Sequence, residues 1–402
     1  MSLKNQLSTA KVTISKLAMI SSIALLAACA EAPLNEPTEL ADIQEKFELD
    51  REWREVIGNS DDEQFNSLVP AIWEDKIITA DPTGLVTAFN KMTGDVIWEK
   101  NLELALSGGV TADAGVVALG TKDAEVILLD VKDGSEQWRS EVTSEVLAPP
   151  AIDGGKLVVR TADGQIFGLD LQTGKQDWFY DRVLPKLTLR GTSAPIATGG
   201  LAVSGFANGK IAAFNIQNGD LLWEQRLSTP RGSSDISRIV DVDANPVIYG
   251  ANLYAAGYDG YAIALDLQNG RFLWRHSTSV LRAPLVDTNR VYLVNTDGEV
   301  EALDRLSGEL VWKAEGLKYR NLTGAADNGN SIIVGDFEGY LHWLDKSTGE
   351  IVARIHLDDY GVAGAPIVTS EMIYATSRYG YLYAFKNPNF QSIDTRPVLD
   401  SE

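Results

Sequence analysis

The chain of 402 residues contains one cysteine and three histidines. A single cysteine rules out any internal disulfide framework. His276, His342 and His356 stand at unrelated places, none within a two- or three-ligand pattern, which argues against a zinc site. Positive charge is also short: 35 Lys and Arg face 56 Asp and Glu, a formal net charge of −21. That balance disfavours nucleic acid, because neutralising a phosphate backbone needs clustered Lys and Arg. Missing too are a Gly-x-Ser-x-Gly elbow, a His-Glu-x-x-His pair and a lysine-bearing phosphate loop. What remains is a turn-rich globular chain with 35 glycines, for which no catalytic set, metal or cofactor is expected.

The amino terminus is the one place with an apolar run. Lys4, Lys11 and Lys16 precede "LAMISSIALLAA", Leu17 to Ala28, and no acidic residue occurs before the run ends. It is too short for a settled membrane span and reads as an export leader covering residues 1–28. Leu26, Ala27, Ala28 and Cys29 resemble the bacterial lipobox, which implies lipidation of Cys29 as the first mature residue. Ala30 follows where an Asp would signal retention, so the resemblance to lipoprotein sorting implies the periplasmic face of the outer membrane. Several acyl chains, at about 0.8 kcal/mol per buried CH₂, make a lasting anchor. Residues 29–46, acidic and without apolar period, read as a flexible tether behind that anchor.

Beyond the tether the sequence repeats itself. "TGDVIW" ending at Trp98 returns as "DGSEQW" at Trp138, "TGKQDW" at Trp178, "NGDLLW" at Trp223, "NGRFLW" at Trp274 and "SGELVW" at Trp312. The tryptophans are 40, 40, 45, 51 and 38 residues apart. In step with them runs a small or proline step before an apolar strand, at Pro70, Gly109, Pro150, Pro195, Pro246, Pro284, Ala325 and Pro366. Two further strands lie between the marks, for example "KLVVRT" and "IFGLDL" around the turn "ADGQ". Four short strands per unit of about 40 residues is the signature of a β-propeller blade. Eight units predict an all-β, eight-bladed propeller over residues 47–387, with 388–402 as a C-terminal tail.

The last unit ends at its third strand, "YLYAFKN", while an orphan strand around Trp53 ("DREWREVI") precedes the first unit. The N-terminal strand should therefore complete the last blade and close the ring, removing two free sheet edges. The seventh unit departs from the pattern, with Ala353 where Trp would stand. Trp53, Trp98, Trp138, Trp178, Trp223, Trp274 and Trp312 are expected to pack between blades, each burying around 150–250 Å². The competing reading, an outward ligand platform, fits seven equivalent positions less well. The recurrent Asp130, Asp170, Asp266, Asp304 and Asp345 fall just before turns, where a carboxylate caps backbone amides.

The repeat resembles the tryptophan-docking motif of quinoprotein alcohol dehydrogenases, eight-bladed propellers that use pyrroloquinoline quinone. The likeness implies the fold and not the site. Those enzymes hold the quinone against a vicinal disulfide, which one cysteine cannot form.

Function is then sought where the period breaks. Two long connections, "FYDRVLPKLTLRGTSAP" and "RLSTPRGSSDISRIVDVDANP", follow the outer strands of successive blades and emerge on one face as neighbours. Leu187, Leu189 and Arg190 in the first, with Asp241 and Asp243 in the second, make a candidate docking patch. An internal Arg–Asp pairing that merely fixes the loops is the alternative. "LTLRGTSAP", "SSDISRIVDVDANPVI" and "VGDFEGYLHW" resemble the BamB family, lipoprotein subunits of the β-barrel assembly machinery in Gram-negative outer membranes. The resemblance spans essentially the whole mature chain. It implies a non-enzymatic propeller, monomeric within a complex with the other BAM subunits. The five loop residues would contact the POTRA domains of BamA, and unfolded outer-membrane proteins would be transient partners. The rival expectation is a lipid-anchored propeller for another periplasmic ligand or a cell-wall polymer.

Overall fold

Thirty-two strands in eight four-stranded antiparallel sheets make up a computed structural model that describes residues 35–58, 68–181, 193–206, 208–227, 244–258 and 260–389. No helix occurs among the described residues. Seven sheets run in simple order, from β2 (Ala71–Trp73), β3 (Lys76–Ala80), β4 (Leu85–Asn90) and β5 (Val96–Asn101) in blade 1 to β26 (Ala326–Asn328), β27 (Ser331–Gly335), β28 (Tyr340–Asp345) and β29 (Ile351–His356) in blade 7. The eighth joins both ends of the chain. β30 (Ile367–Val368), β31 (Met372–Thr376) and β32 (Tyr381–Lys386) pair outward to β1 (Arg51–Val56), with Trp53 opposite Ala384. The eight-bladed ring closed by its N-terminal strand is therefore the observed fold.

Turn chemistry fixes each hairpin. Asp130, Asp170, Asp266, Asp304 and Asp345 accept backbone N–H groups two or three residues on, from Lys132, Thr173, Gln268, Ser307 and Ser347. The turn glycine that follows sits at positive φ, +70° at Gly174 and +74° at Gly219. These turns bring the outermost strand back along its blade and carry a glycine to the neighbouring one.

The tryptophans explain why that glycine is needed. A Cβ at Gly219 would lie 2.7 Å from the Trp178 indole of the preceding blade. Gly94, Gly134, Gly174, Gly270, Gly308 and Gly349 meet Trp53, Trp98, Trp138, Trp223, Trp274 and Trp312 in the same way. On its own sheet each indole faces a small residue: Ala88 for Trp98, Gly168 for Trp178, Ala213 for Trp223, Ala264 for Trp274 and Ala302 for Trp312, with Leu128 the exception beside Trp138. Six of the seven also donate Nε1–H across the interface, to the carbonyls of Val131, Leu171, Ile216, Leu267, Arg305 and Lys346, at 2.8–3.0 Å. Apolar burial and one satisfied polar atom thus secure six of the seams.

The seventh blade inverts the pair, and the ring's closure gives the reason. In blade 8 the third strand, β32, is followed outward by β1 from the other end of the chain and not by a turn, so no turn glycine faces blade 7 and an indole there has nothing to dock against. There the small residue is Ala353 on the outer strand, and Trp343 stands opposite it on β28. Trp343 is fully buried and meets Phe47 edge-on, with ring centroids 5.9 Å apart. The end of the expected tether is accordingly no loose chain. Leu40 packs on the core beside Trp312 and Ile351, Ala41 O accepts from Arg354 Nη1 at 3.3 Å, and Lys46 N donates to Val352 O at 2.9 Å. The ring seam differs once more at Trp53, whose buried Nε1 has no partner. Tyr374 takes its place, donating its hydroxyl to Lys91 O at 2.8 Å.

Candidate functional site

Strand polarity sorts the loops. Every outer strand ends on the face where the next inner strand begins, and the turns between second and third strands lie on that face too. The two long connections follow β13 (Gln176–Tyr180) and β17 (Leu221–Arg226). Leu187, Leu189, Arg190, Asp241 and Asp243 lie outside the described residues, as does Cys29. What the structure does describe is the base from which both loops leave. Ser193 is buried, and its hydroxyl donates to Ala244 O at 3.4 Å. Ala194 N donates to the Asn245 side-chain oxygen at 2.7 Å. Arg160 adds a bond from Nη1 to Ser193 O at 3.2 Å. The residues that end one loop are thus stitched to those that end the other. Adjacent blades force that neighbourhood, since β14 (Ile196–Thr198) and β18 (Val247–Tyr249) are successive inner strands.

A second feature is the outer rim. Each outermost strand leaves one edge without a strand partner, and several carry exposed apolar residues: Val96 and Ile97, Leu221 and Leu222, Leu310 and Val311. Facing outward beside a free ladder, they offer backbone donors and acceptors together with apolar side chains.

The histidines serve the scaffold. His342 and Asp336 are both fully buried in blade 7, with Nε2 to Oδ2 at 2.9 Å. Arg354 Nε donates to His342 Nδ1 at 3.1 Å, which places the imidazole proton on Nε2, toward the carboxylate. Arg320 Nε completes the network on Asp336 at 2.7 Å and reaches Glu338 with Nη2. Burial pushes His342 below its usual pKa. Burial opposes the Asp336 charge, yet the bonds from His342, Tyr340 N–H and Arg320 hold the carboxyl below its ordinary range. His276 pairs with Glu301 at 3.1 Å, and His356 with Asp359 at 3.3 Å. No group of three or more His, Cys, Asp or Glu able to hold a metal occurs among the described residues. The sequence reading passed over this buried network. Its one signal was "VGDFEGYLHW", in which Asp336 and His342 lie six residues apart across a hairpin.

Comparison with known proteins fits this geometry. A family model described as outer membrane protein assembly factor BamB matches residues 82–314 and 296–389. The protein of that name from Kangiella koreensis is 63% identical over 366 residues, 91% of this chain and 94% of the relative. The crystal structure of BamB from Moraxella catarrhalis superposes with a TM-score of 0.77 at 31% identity, covering 84% of this chain and 99% of that one. Quinohemoprotein alcohol dehydrogenase from Comamonas testosteroni reaches 0.66 at 14% identity over 86% of this chain and 77% of its own, a likeness of fold alone. This chain belongs to the family of outer membrane protein assembly factor BamB, a family of assembly factors and not of enzymes.

Proposed function

We propose that this propeller is a non-catalytic scaffold of outer-membrane β-barrel assembly, anchored by lipid at Cys29. It docks on the POTRA domains of BamA through Leu187, Leu189 and Arg190 together with Asp241 and Asp243. The observation that carries the reading is the stitched base of the two loops, Ser193 to Ala244 and Ala194 to Asn245. Such a base ties the ends of the two long connections together, which supports a docking patch drawn from both. Arg190 is the natural anchor, since buried arginines at interface centres carry a large share of binding energy. The exposed outer strands support a further step, in which an unfolded outer-membrane protein adds a strand to a blade edge.

Co-purification with the POTRA region of BamA tests the docking. Replacing residues 187–190 by a short glycine turn, and separately Arg190→Glu, should abolish capture while circular dichroism stays unchanged. Capture that survives both changes would sink the assignment of this face.

A further inference from the structure

The face that carries the long connections also holds two guanidinium groups that no carboxylate among the described residues neutralises. Arg282 stands in the connection from β21 (Phe272–Thr278) into β22 (Leu285–Val286), and Arg378 in the turn between β31 and β32. Gly324 shows how the entries to blades 6, 7 and 8 meet. A Cβ there would lie 3.8 Å from the Arg282 Cβ and 3.5 Å from the Ala365 Cβ. At that point the entry to blade 7 offers only a glycine between the entries to blades 6 and 8. The Arg378 turn is held against the entry to blade 8, its N–H donating to Gly361 O at 2.8 Å beside the bridge between Val362 and Ser377.

The bonding of the two side chains is sparse. Arg282 makes one side-chain hydrogen bond, Nε to Leu322 O at 3.3 Å. Arg378 Nε is buried without a partner. Neither forms an ion pair with a described residue, in a chain where 56 acidic residues outnumber 35 basic ones. Arg282 is exposed to solvent yet has enough of the chain around it to be partly desolvated. That surround, and then the neighbouring Arg378 charge, pushes Arg282 below the usual guanidinium range. Two like charges are therefore brought together without a counter-charge. Such an arrangement costs free energy unless an anion joins it.

We infer that Arg282 and Arg378 form an oxyanion site at the channel mouth, shaped for a carboxylate or phosphate group. Planar forks of N–H donors match both groups, whose oxygens accept paired hydrogen bonds. The site stands on residues other than the docking loops, and it holds or fails independently of them.

The test is thermal unfolding of the full-length chain in sodium phosphate or sodium citrate, against sodium chloride at matched ionic strength. A bound anion raises the melting temperature in a saturable way, following the ratio of ligand to Kd. Arg282→Gln and Arg378→Gln should each weaken that effect about tenfold or more, the loss of one charge-assisted pair. Arg378→Lys, which keeps the charge and loses the fork, should fall between. In chloride alone both glutamine variants should melt no lower than the parent, because one of two repelling charges is gone. A response to phosphate only, or to citrate only, would support the site and identify the group it takes. Stabilisation no greater than chloride gives, or equal in parent and variants, would overturn it. So would glutamine variants that melt well below the parent in chloride, which would make the arginines structural.

Discussion

Alanine at Gly219 should destabilise the propeller markedly more than alanine at Gly250. Both glycines are left-handed, with φ of +74° and +61°. Forcing an L-residue into that region costs roughly 1–2 kcal/mol at either site. What differs is the space around them. A Cβ at Gly250 meets nothing within 4 Å, whereas one at Gly219 comes within 2.7 Å of the Trp178 ring. The indole has little room to retreat. Its Nε1 is tied to Ile216 O at 2.8 Å, and its far side lies on Gly168, where a Cβ would come within 2.1 Å. Overpacking of this kind adds about 1–3 kcal/mol. Gly219→Ala should therefore lose about 2–5 kcal/mol and Gly250→Ala about 1–2 kcal/mol. Paired urea unfolding curves, followed by tryptophan fluorescence, give the difference as a shift in midpoint. In a Trp178→Leu background the excess should vanish, since the obstructing ring is gone. Equal losses at the two glycines would refute the reasoning, because the indole would then be free to move aside.

A matched pair isolates the seam hydrogen bond. Trp53 and Trp98 are equally buried, both rest on a turn glycine and both face an alanine, but only Trp98 donates across the seam. Trp98→Phe should cost about 1–2 kcal/mol more than Trp53→Phe, since it strands the Val131 carbonyl; equal losses would deny the bond any net worth. The blade 7 network predicts acid sensitivity. His342 is lowered in the folded state, so its contribution is complete above the unfolded value of about 6.5 and declines as pH falls through that value toward the folded one. His342→Gln should flatten the stability profile below about pH 6.5, and an unchanged slope would exclude His342 as its source. Phe47→Ala should free the strap on blade 7, read as faster hydrogen exchange at the Lys46 amide, which donates to Val352 O. Unchanged protection there would mean that Leu40 and Leu49 suffice to hold it.

The repeats were legible because each blade solves the same packing problem with the same residues. A turn glycine, an outer tryptophan and a capping Asp recur, and strand polarity then placed the two long connections side by side. The exception at Ala353 could be seen but not explained from sequence. Its reason lies in register: Trp343 opposite Ala353, and a next blade that ends before its turn. The strap could not be read at all, since Leu40, Phe47 and Leu49 form no period and their partners lie some 300 residues along the chain. Asn245 looked like an ordinary loop residue until its side chain was found on Ala194 N. Arg282 and Arg378, 96 positions apart, carry no motif; only the packing of the blade entries around Gly324 brings their segments into one neighbourhood.

These particulars divide the molecule by mechanical role. Seven of the eight seams are over-determined, each by an indole, a glycine and, in six cases, a hydrogen bond, so the ring tolerates change elsewhere. Among the described residues, the ends of the long connections are tied to one another, through Ser193, Ala194, Ala244 and Asn245, and not to those indoles. Substitution inside 187–190 or 241–243 should then alter what the face binds without loosening the blades beneath it. A ring whose seams are set by its own repeats suits a scaffold, because residues in the connections can change while the seam residues are kept. Closure by the N-terminal strand adds a constraint of its own. Phe47 and β1 complete blades 7 and 8, so the closed ring, and with it the neighbourhood of successive blade entries, depends on the N-terminal strand pairing with β32.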